Sequence, residues 1–335
     1  MNKKLISEIG EKNLIKIILD KRDSNLKGVD NKIKGSYHDD AALIDNSSIY
    51  TVISTDMLIQ HSHFPKNMTP YQMGEKIVTV NVSDILAMNA IPDSILISMG
   101  LPPKMTLNEY EELCDGILDK CHEYDITLIG GDINENTEIV LCGTSVGKVN
   151  DEFKLQTDIN PDDLIAVTGE LGAPAAALDL IYGKNNISEE NKKDILKTLY
   201  EPTLPIKESR ILRQYPSLIT SITDITDGLA IELGHLKDKN KDIGFEIYFD
   251  QIPYNKNIEK VATLNNKDLP EYLLHFGEEF ELLITLKKDE YYKYQNKLEN
   301  LHIIGKTNSS GRITLVKENS KEIMPVKGYE HLKDD

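Results

Sequence analysis

The run Ile77-Val78-Thr79-Val80-Asn81-Val82-Ser83-Asp84-Ile85-Leu86-Ala87-Met88 organises the reading of this chain. Upstream, Thr69-Pro70 is an N-cap followed by proline at the first helical position, so the run belongs to a helix reaching about Asn89. That helix is apolar on most sides, the pattern of a buried helix. Asp84 lies inside it, three residues after Asn81 and so on the same face. Either Asp84 is a buried carboxylate satisfied by backbone or hydroxyl groups, or it belongs to a site.

Elements on either side give the architecture. Residues 49–55 (IYTVIST) are β-branched and predict a strand, as do 94–101, closed by Pro102-Pro103. Residues 106–124 predict a helix capped by Thr106 with Glu109 at the capping-box position. Strands follow at 126–129 and 138–149, and residues 5–20 space Leu5, Ile6, Ile9, Ile17 and Ile18 like a helix. A polar stretch over 150–163, punctuated by Asn160-Pro161, sets a domain boundary between 1–150 and 151–335. Beyond it come a strand at 164–168, helices near 174–183 and 188–200, and a strand at 217–223. A helix starts near Asp227, and strands follow at 244–249 and 280–286. This mixed order predicts an α+β fold of two units rather than one doubly wound sheet.

The chain has 335 residues, 40% of them hydrophobic, enough for packed cores in two domains. Its net charge of −17 argues against nucleic acid and against an anionic membrane surface as partners. No apolar run approaches the roughly 18 residues of a membrane span, and Glu8 arrives too early for a signal peptide. Cys114, Cys121 and Cys142, with no C-x-x-C spacing, predict reduced, buried thiols in a cytoplasmic protein.

Several acids stand where a solubilising coat would not put them. Asp56 follows the strand at 49–55, Asp132 follows Gly130-Gly131, and Asp224 follows the strand at 217–223. Strand ends open into clefts, so these are candidate ligands. Asp39-Asp40 precede Ala41-Ala42-Leu43-Ile44, and Asp227 sits in a turn where it could equally cap a helix. Two ionised carboxylates about 4 Å apart cost roughly 4 kcal/mol at an effective dielectric of 20, so only cations make such a cluster tolerable. An all-oxygen set suits Mg²⁺, which completes its shell with water and phosphates, and this points to phosphate transfer. Neither G-x-x-x-x-G-K-[ST] nor G-x-G-x-x-G is present. The EF-hand-like Asp238-Lys239-Asn240-Lys241-Asp242 lacks the later Gly and Glu and reads as a surface turn. His61-x-His63 lacks a third nitrogen or sulfur ligand nearby.

Five collinear motifs resemble the thiamine-monophosphate kinase family. Ser54-Thr55-Asp56-Met57-Leu58 with His63-Phe64 is similar to STDMLVEGVHF, and Val80–Met88 to VNLSDLAAMGA. Leu128-Ile129-Gly130-Gly131-Asp132 matches LIGGD. Asp224-Ile225-Thr226-Asp227-Gly228-Leu229 resembles D-x-SDGL, and Lys327-Gly328-Tyr329-Glu330-His331 resembles KGYDHF. The resemblance implies the fold of aminoimidazole ribonucleotide synthetase: two α+β domains, mixed or antiparallel sheets with packed helices, and a homodimer built on N-terminal strands. It also implies ATP-dependent phosphorylation of thiamine monophosphate to thiamine diphosphate by direct transfer. By position, it implies that Asp40, Ser54, Thr55, Asp56, Asp84, Asp132, Asp224 and Asp227 hold several Mg²⁺ ions, with K⁺ a further candidate cation. Gly131, Asp132, Gln156 and Thr226 would contact ATP; His63, Glu278, Val326 and Tyr329 would contact the acceptor.

Some positions depart from the family pattern. His38 replaces a glycine, Gln156 aligns with an ATP-contacting arginine, Thr226 replaces serine, and Val326 stands where an aromatic, often Trp, packs on the substrate. GGEDYEL reads Phe276-Gly277-Glu278-Glu279-Phe280-Glu281-Leu282, and the chain has no Trp. The alternative is a related superfamily kinase acting on a different phosphorylated small molecule. Relatives that use a terminal cysteine are disfavoured, because the first cysteine is Cys114 and none follows Cys142.

Overall fold

Thr69 caps α3 (Pro70–Ala87) as the sequence requires: its hydroxyl accepts from the Gln72 N–H at 3.3 Å, and the Gln72 side chain accepts from the Thr69 N–H at 3.1 Å. The computed structural model describes residues 5–25, 33–34, 39–184, 187–298, 300–318 and 320–328. Around α3, the first half contains α1 (Glu11–Asn25), β1 (Ile33–Lys34), β2 (Ala42–Asp45), β3 (Tyr50–Ile59) and α2 (Gln60–His63). It continues with β4 (Ile91–Leu101), α4 (Leu107–Glu123), β5 (Thr127–Glu135) and β6 (Val140–Val149). These strands form one sheet in the order β1-β2-β3-β6-β4-β5, in which only β4 and β5 run parallel.

The second half contains β7 (Leu164–Thr168), α5 (Ala173–Tyr182), α6 (Glu189–Tyr200), α7 (Ile206–Leu212), β8 (Ile219–Asp224) and α8 (Leu229–Lys239). Then come β9 (Gly244–Tyr248), α9 (Asn257–Asn265), α10 (Leu269–His275), β10 (Leu282–Leu286), α11 (Lys288–Tyr294), β11 (Leu301–Asn308), β12 (Ile313–Lys317) and β13 (Ser320–Ile323). The second sheet runs β13-β12-β9-β11-β7-β10-β8 and is antiparallel except where β12 meets β9.

The apolar periphery of α3 is explained by what surrounds it. Ile77, Val78, Val82 and Leu86 share a core with Ile95 and Ile97 of β4 and with Ile222 and Ile284 of the second sheet. Each such side chain contributes roughly 1.5–3 kcal/mol on burial, so the helix is anchored between both sheets. Its approach to α4 is close: a Cβ on Gly116 would stand 2.0 Å from the Tyr71 carbonyl oxygen, and one on Gly74 2.3 Å from that of Leu113.

Several boundaries differ from expectation. The strand expected over 49–55 continues to Ile59, so Asp56 lies within β3. Asp132 likewise lies inside β5, opposite Ser98 of β4. Asp224 closes β8, and the helix expected from Asp227 starts at Leu229, after Gly228 at φ 111°. The turn at 238–242 is not wholly superficial, since Asn240 is buried and donates to the Gln156 carbonyl at 2.7 Å. Of the three thiols, only Cys121 is buried; Cys114 and Cys142 are partly exposed. No helix among the described residues is long and apolar enough to cross a membrane.

Candidate functional site

Asp40 before β2, Asp56 in β3, Asp84 in α3 and Asp224 at the end of β8 act on one another electrostatically. Desolvation raises the carboxyl of Asp84 well above its ordinary value, and the charges of Asp56, Asp224 and Asp40 add to this. Asp224 is raised for the same reason, with Asp40 as its main repelling neighbour. Burial also lifts Asp56, against a hydrogen bond shared with Asp84. Asp40 is pushed up to about 6 by desolvation and by Glu232, while Asp39 rises to about 8 through desolvation and Asp40. Asp227 reaches about 6 by desolvation and by Glu232, offset by His235.

Polar side chains fix these acids in place. The Ser54 hydroxyl donates to Asp84 Oδ2, and the Ser83 hydroxyl donates to Asp224 Oδ2, which ties α3 to β8. Asn81 accepts from the Asp56 N–H at 3.0 Å and donates to the Ile77 carbonyl at 2.9 Å. It thus holds β3 against the helix. Asp39 accepts from the Gln156 N–H at 2.9 Å. Asp39 Oδ1 and Asp40 Oδ2 are buried without a hydrogen-bond partner.

Other expected residues fall elsewhere. Alternate residues of a strand face opposite sides: Ser54 and Asp56 face α3, while the Thr55 hydroxyl donates to the Gly143 carbonyl at 2.6 Å beside Thr144. Asp132 is exposed, accepts from Asn134 at 2.7 Å and sits three strands from Asp56, about 14 Å at ordinary strand spacing. Gly131 beside it lets β5 approach β4, because a Cβ there would be 1.8 Å from the Ile97 oxygen. Gln156 is buried, with its carboxamide bonded to Asp40, Thr223 and Lys239. The Thr226 carbonyl accepts from the Glu278 N–H at 2.9 Å. His63 and Glu278 do come together, through Lys76. Val326 is exposed and packs over Gly234 of α8. Tyr329, like His38, lies outside the described residues.

Three charged groups were not read from the sequence as candidate site residues. Glu232 is buried, accepts from the Asp227 N–H at 3.2 Å and faces His235 at 2.9 Å. Lys239 supplies positive charge to Asp39 and Asp40. Lys76 is fully buried in α3; a lysine inside the same apolar helix as Asp84 was a signal of the same kind. Helix α1 also reaches the site, with Lys12 against His235 and the Glu11 charge acting on Asp56 and Asp227.

These buried carboxylates repel one another, and Asp39 and Asp40 each keep an unpartnered oxygen, so a cation would relieve the repulsion. Among the described residues, no three His, Cys, Asp or Glu side chains are arranged as a ready ligand set for one ion. Mg²⁺ is commonly held by one or two carboxylates, with water and substrate phosphates completing its octahedron.

The AIR synthase related protein N-terminal domain matches residues 38–149, and the corresponding C-terminal domain matches 160–318. A thiamine-monophosphate kinase of Pyrococcus horikoshii is 30% identical over 328 residues, 98% of each chain. The chain belongs to the thiamine-monophosphate kinase family. A second relative of that name, from Methanocaldococcus jannaschii, is 32% identical over 84% of this chain and 89% of its own. The solved structure of AaThiL complexed with AMPPCP and TMP superposes with a TM-score of 0.84 at 25% identity, covering 99% of both chains. The kinase-family fold expected from the five motifs is therefore borne out across the chain.

Proposed function

We propose that this chain transfers the γ-phosphoryl group of ATP to the phosphate of thiamine monophosphate, giving ADP and thiamine diphosphate. The observation that carries this reading is the convergence of Asp40, Asp56, Asp84 and Asp224 from both halves of the chain. Donor and acceptor are polyanions, and bound Mg²⁺ supplies the charge that lets their oxygens approach. Asp40, Ser54, Asp56, Asp84, Asp224 and Asp227 would hold Mg²⁺. The Thr55 hydroxyl is turned away from this group. Gly131, Asp132 and Thr226 are assigned to ATP, and Gln156 to ordering Asp40. His63, Glu278, Val326 and Tyr329 are assigned to the acceptor. No side-chain base is assigned, because a phosphate monoester oxygen is already a nucleophile; the protein's work is positioning.

The division at 150 would place β2, β3 and α3 in one unit and β8 in the other, with the reacting phosphates between them. A second copy of the chain would cover Met57, Leu96 and Ile129, apolar side chains left exposed on β3, β4 and β5, making a cytoplasmic homodimer.

The test is purified protein with ATP, Mg²⁺ and thiamine monophosphate, scored chromatographically for thiamine diphosphate, with K⁺ present or omitted. Absence of product across a range of both cations overturns the reading. ADP release with a panel of other phosphorylated acceptors tests acceptor identity: a larger kcat/KM with another acceptor keeps the chemistry and replaces the substrate.

A further inference from the structure

Lys76 lies on α3 eight residues before Asp84, about 12 Å away along the helix axis. It is 0% exposed, and lysine is almost never fully buried unless paired. Its ammonium donates to both oxygens of Glu278, at 2.7 and 2.9 Å, and to the carbonyl of His63 at 2.8 Å. Three donors therefore meet three acceptors. The groups so joined come from the two halves of the chain, and both are assigned above to the acceptor.

The Glu278 backbone makes this more than an incidental ion pair. Glu278 has φ 62° and Phe280 φ 53°, the left-handed region that side-chain-bearing residues avoid. The Glu278 N–H donates to Thr226 and the Phe280 N–H to Ile225, at 2.9 and 3.1 Å. Gly277 admits no side chain, since a Cβ would stand 1.7 Å from the Thr226 oxygen. An unusual backbone is thus over-determined, and Lys76 adds a tie across the chain. Buried ion pairs are weak contributors to stability, because apolar replacements often serve as well, so stability alone does not account for a lysine here.

We infer that Lys76 is a positioning residue of the acceptor site: its ammonium sets the Glu278 carboxylate and the His63 backbone at one fixed separation, two helical turns from the acids. This rests on the kinase reading above. The acceptor then meets a preformed polar wall rather than two separate segments that must be brought together on binding.

The test compares wild type with Lys76→Met and Lys76→Gln in steady-state kinetics on the full chain, with folding checked by circular dichroism. The expected result is a KM for thiamine monophosphate raised at least tenfold in both variants, a KM for ATP within twofold, and an unchanged Mg²⁺-dependent rise in Tm. Unchanged KM values, an equal loss for both substrates, or failure of both variants to fold overturns the inference. If wild type itself forms no product, the kinase reading falls separately, and calorimetric Kd values for thiamine monophosphate decide Lys76: equal values in wild type and variants overturn it.

Discussion

Gln156 donates from Nε2 to Oδ1 of Asp40 at 2.8 Å, from a side chain only 3% exposed. Thr223 donates to the same oxygen at 3.0 Å, and Lys239 donates to the Gln156 carbonyl oxygen. Asp40 is therefore held by one oxygen while the other, Oδ2, is buried without a partner. Resemblance aligns Gln156 with a nucleotide contact, whereas its carboxamide faces an acid. Gln156→Ala leaves Lys239 without this acceptor and Asp40 with one donor fewer; orphaning a buried polar group costs roughly 1–3 kcal/mol. The expected outcome is a lower urea midpoint and a higher Mg²⁺ concentration for half-maximal activity. If both measurements match wild type, Gln156 does not order Asp40.

Asp84→Asn separates the metal role from the structural one. Asparagine keeps the shape and can still accept from Ser54, while it removes a group repelled by Asp56, Asp224 and Asp40. After EDTA treatment, the variant should unfold within about 1 kcal/mol of wild type, or above it. Added Mg²⁺ stabilises wild type by mass action, and the variant should show a smaller rise in Tm and lose at least 99% of turnover, about 2.7 kcal/mol of transition-state stabilisation. Scanning calorimetry with and without MgCl₂, beside the product assay, checks both. Near-wild-type turnover means the carboxylate cluster is misassigned.

These acids show how far the sequence reached. Asp84 was legible because a charge inside an apolar helix has no solvent-facing explanation, and α3 is indeed enclosed by both sheets. Asp56 was legible as a candidate ligand but not as a mid-strand residue: β3 continues its alternation through Leu58 after the polar interruption. The same parity would have excluded the Thr55 hydroxyl, since residues 54 and 56 share a face that 55 cannot. Gly130-Gly131 read as a strand end because glycine weakens strands. In the fold Gly131 is what lets β5 lie against Ile97. Lys76 and Lys239 escaped because their partners, Glu278 and Gln156, lie 202 and 83 residues away in sequence, and long-range pairing leaves no local pattern.

Glu281 gives a pH signature away from the acid cluster. Desolvation pushes its carboxyl up to about 8 from 4.5, against the Thr168 hydroxyl that donates to it at 2.5 Å. Between those values the folded state keeps a proton that the unfolded chain has released. This contribution is fully present below about 4.5 and is lost as pH rises towards 8. Glu281→Gln stays neutral throughout, so unfolding free energies of variant and wild type from urea titration should be close at pH 5 and diverge in favour of the variant by pH 8, by about 3–4 kcal/mol. A gap that is constant, or that closes with rising pH, shows that Glu281 is ionised in the fold.

Met57 on β3 is 53% exposed and Ile133 on the edge strand β5 is 55% exposed, with Leu96 and Ile129 also open to solvent. An edge strand carrying apolar side chains and unpaired backbone groups is a template for association with another chain, and this sheet is the one expected to build a homodimer. If a second copy covers it, a charge there must be desolvated on association and the dimer weakens. Ile129→Asp combined with Met57→Asp should therefore shift the mass in size-exclusion chromatography with light scattering from twice the 37.8 kDa chain mass to one chain. Neither residue lies among the acids, so the monomer should retain the Mg²⁺-dependent rise in Tm. A wild type that is already monomeric at micromolar concentration, or a double variant that stays dimeric, removes this sheet as the interface.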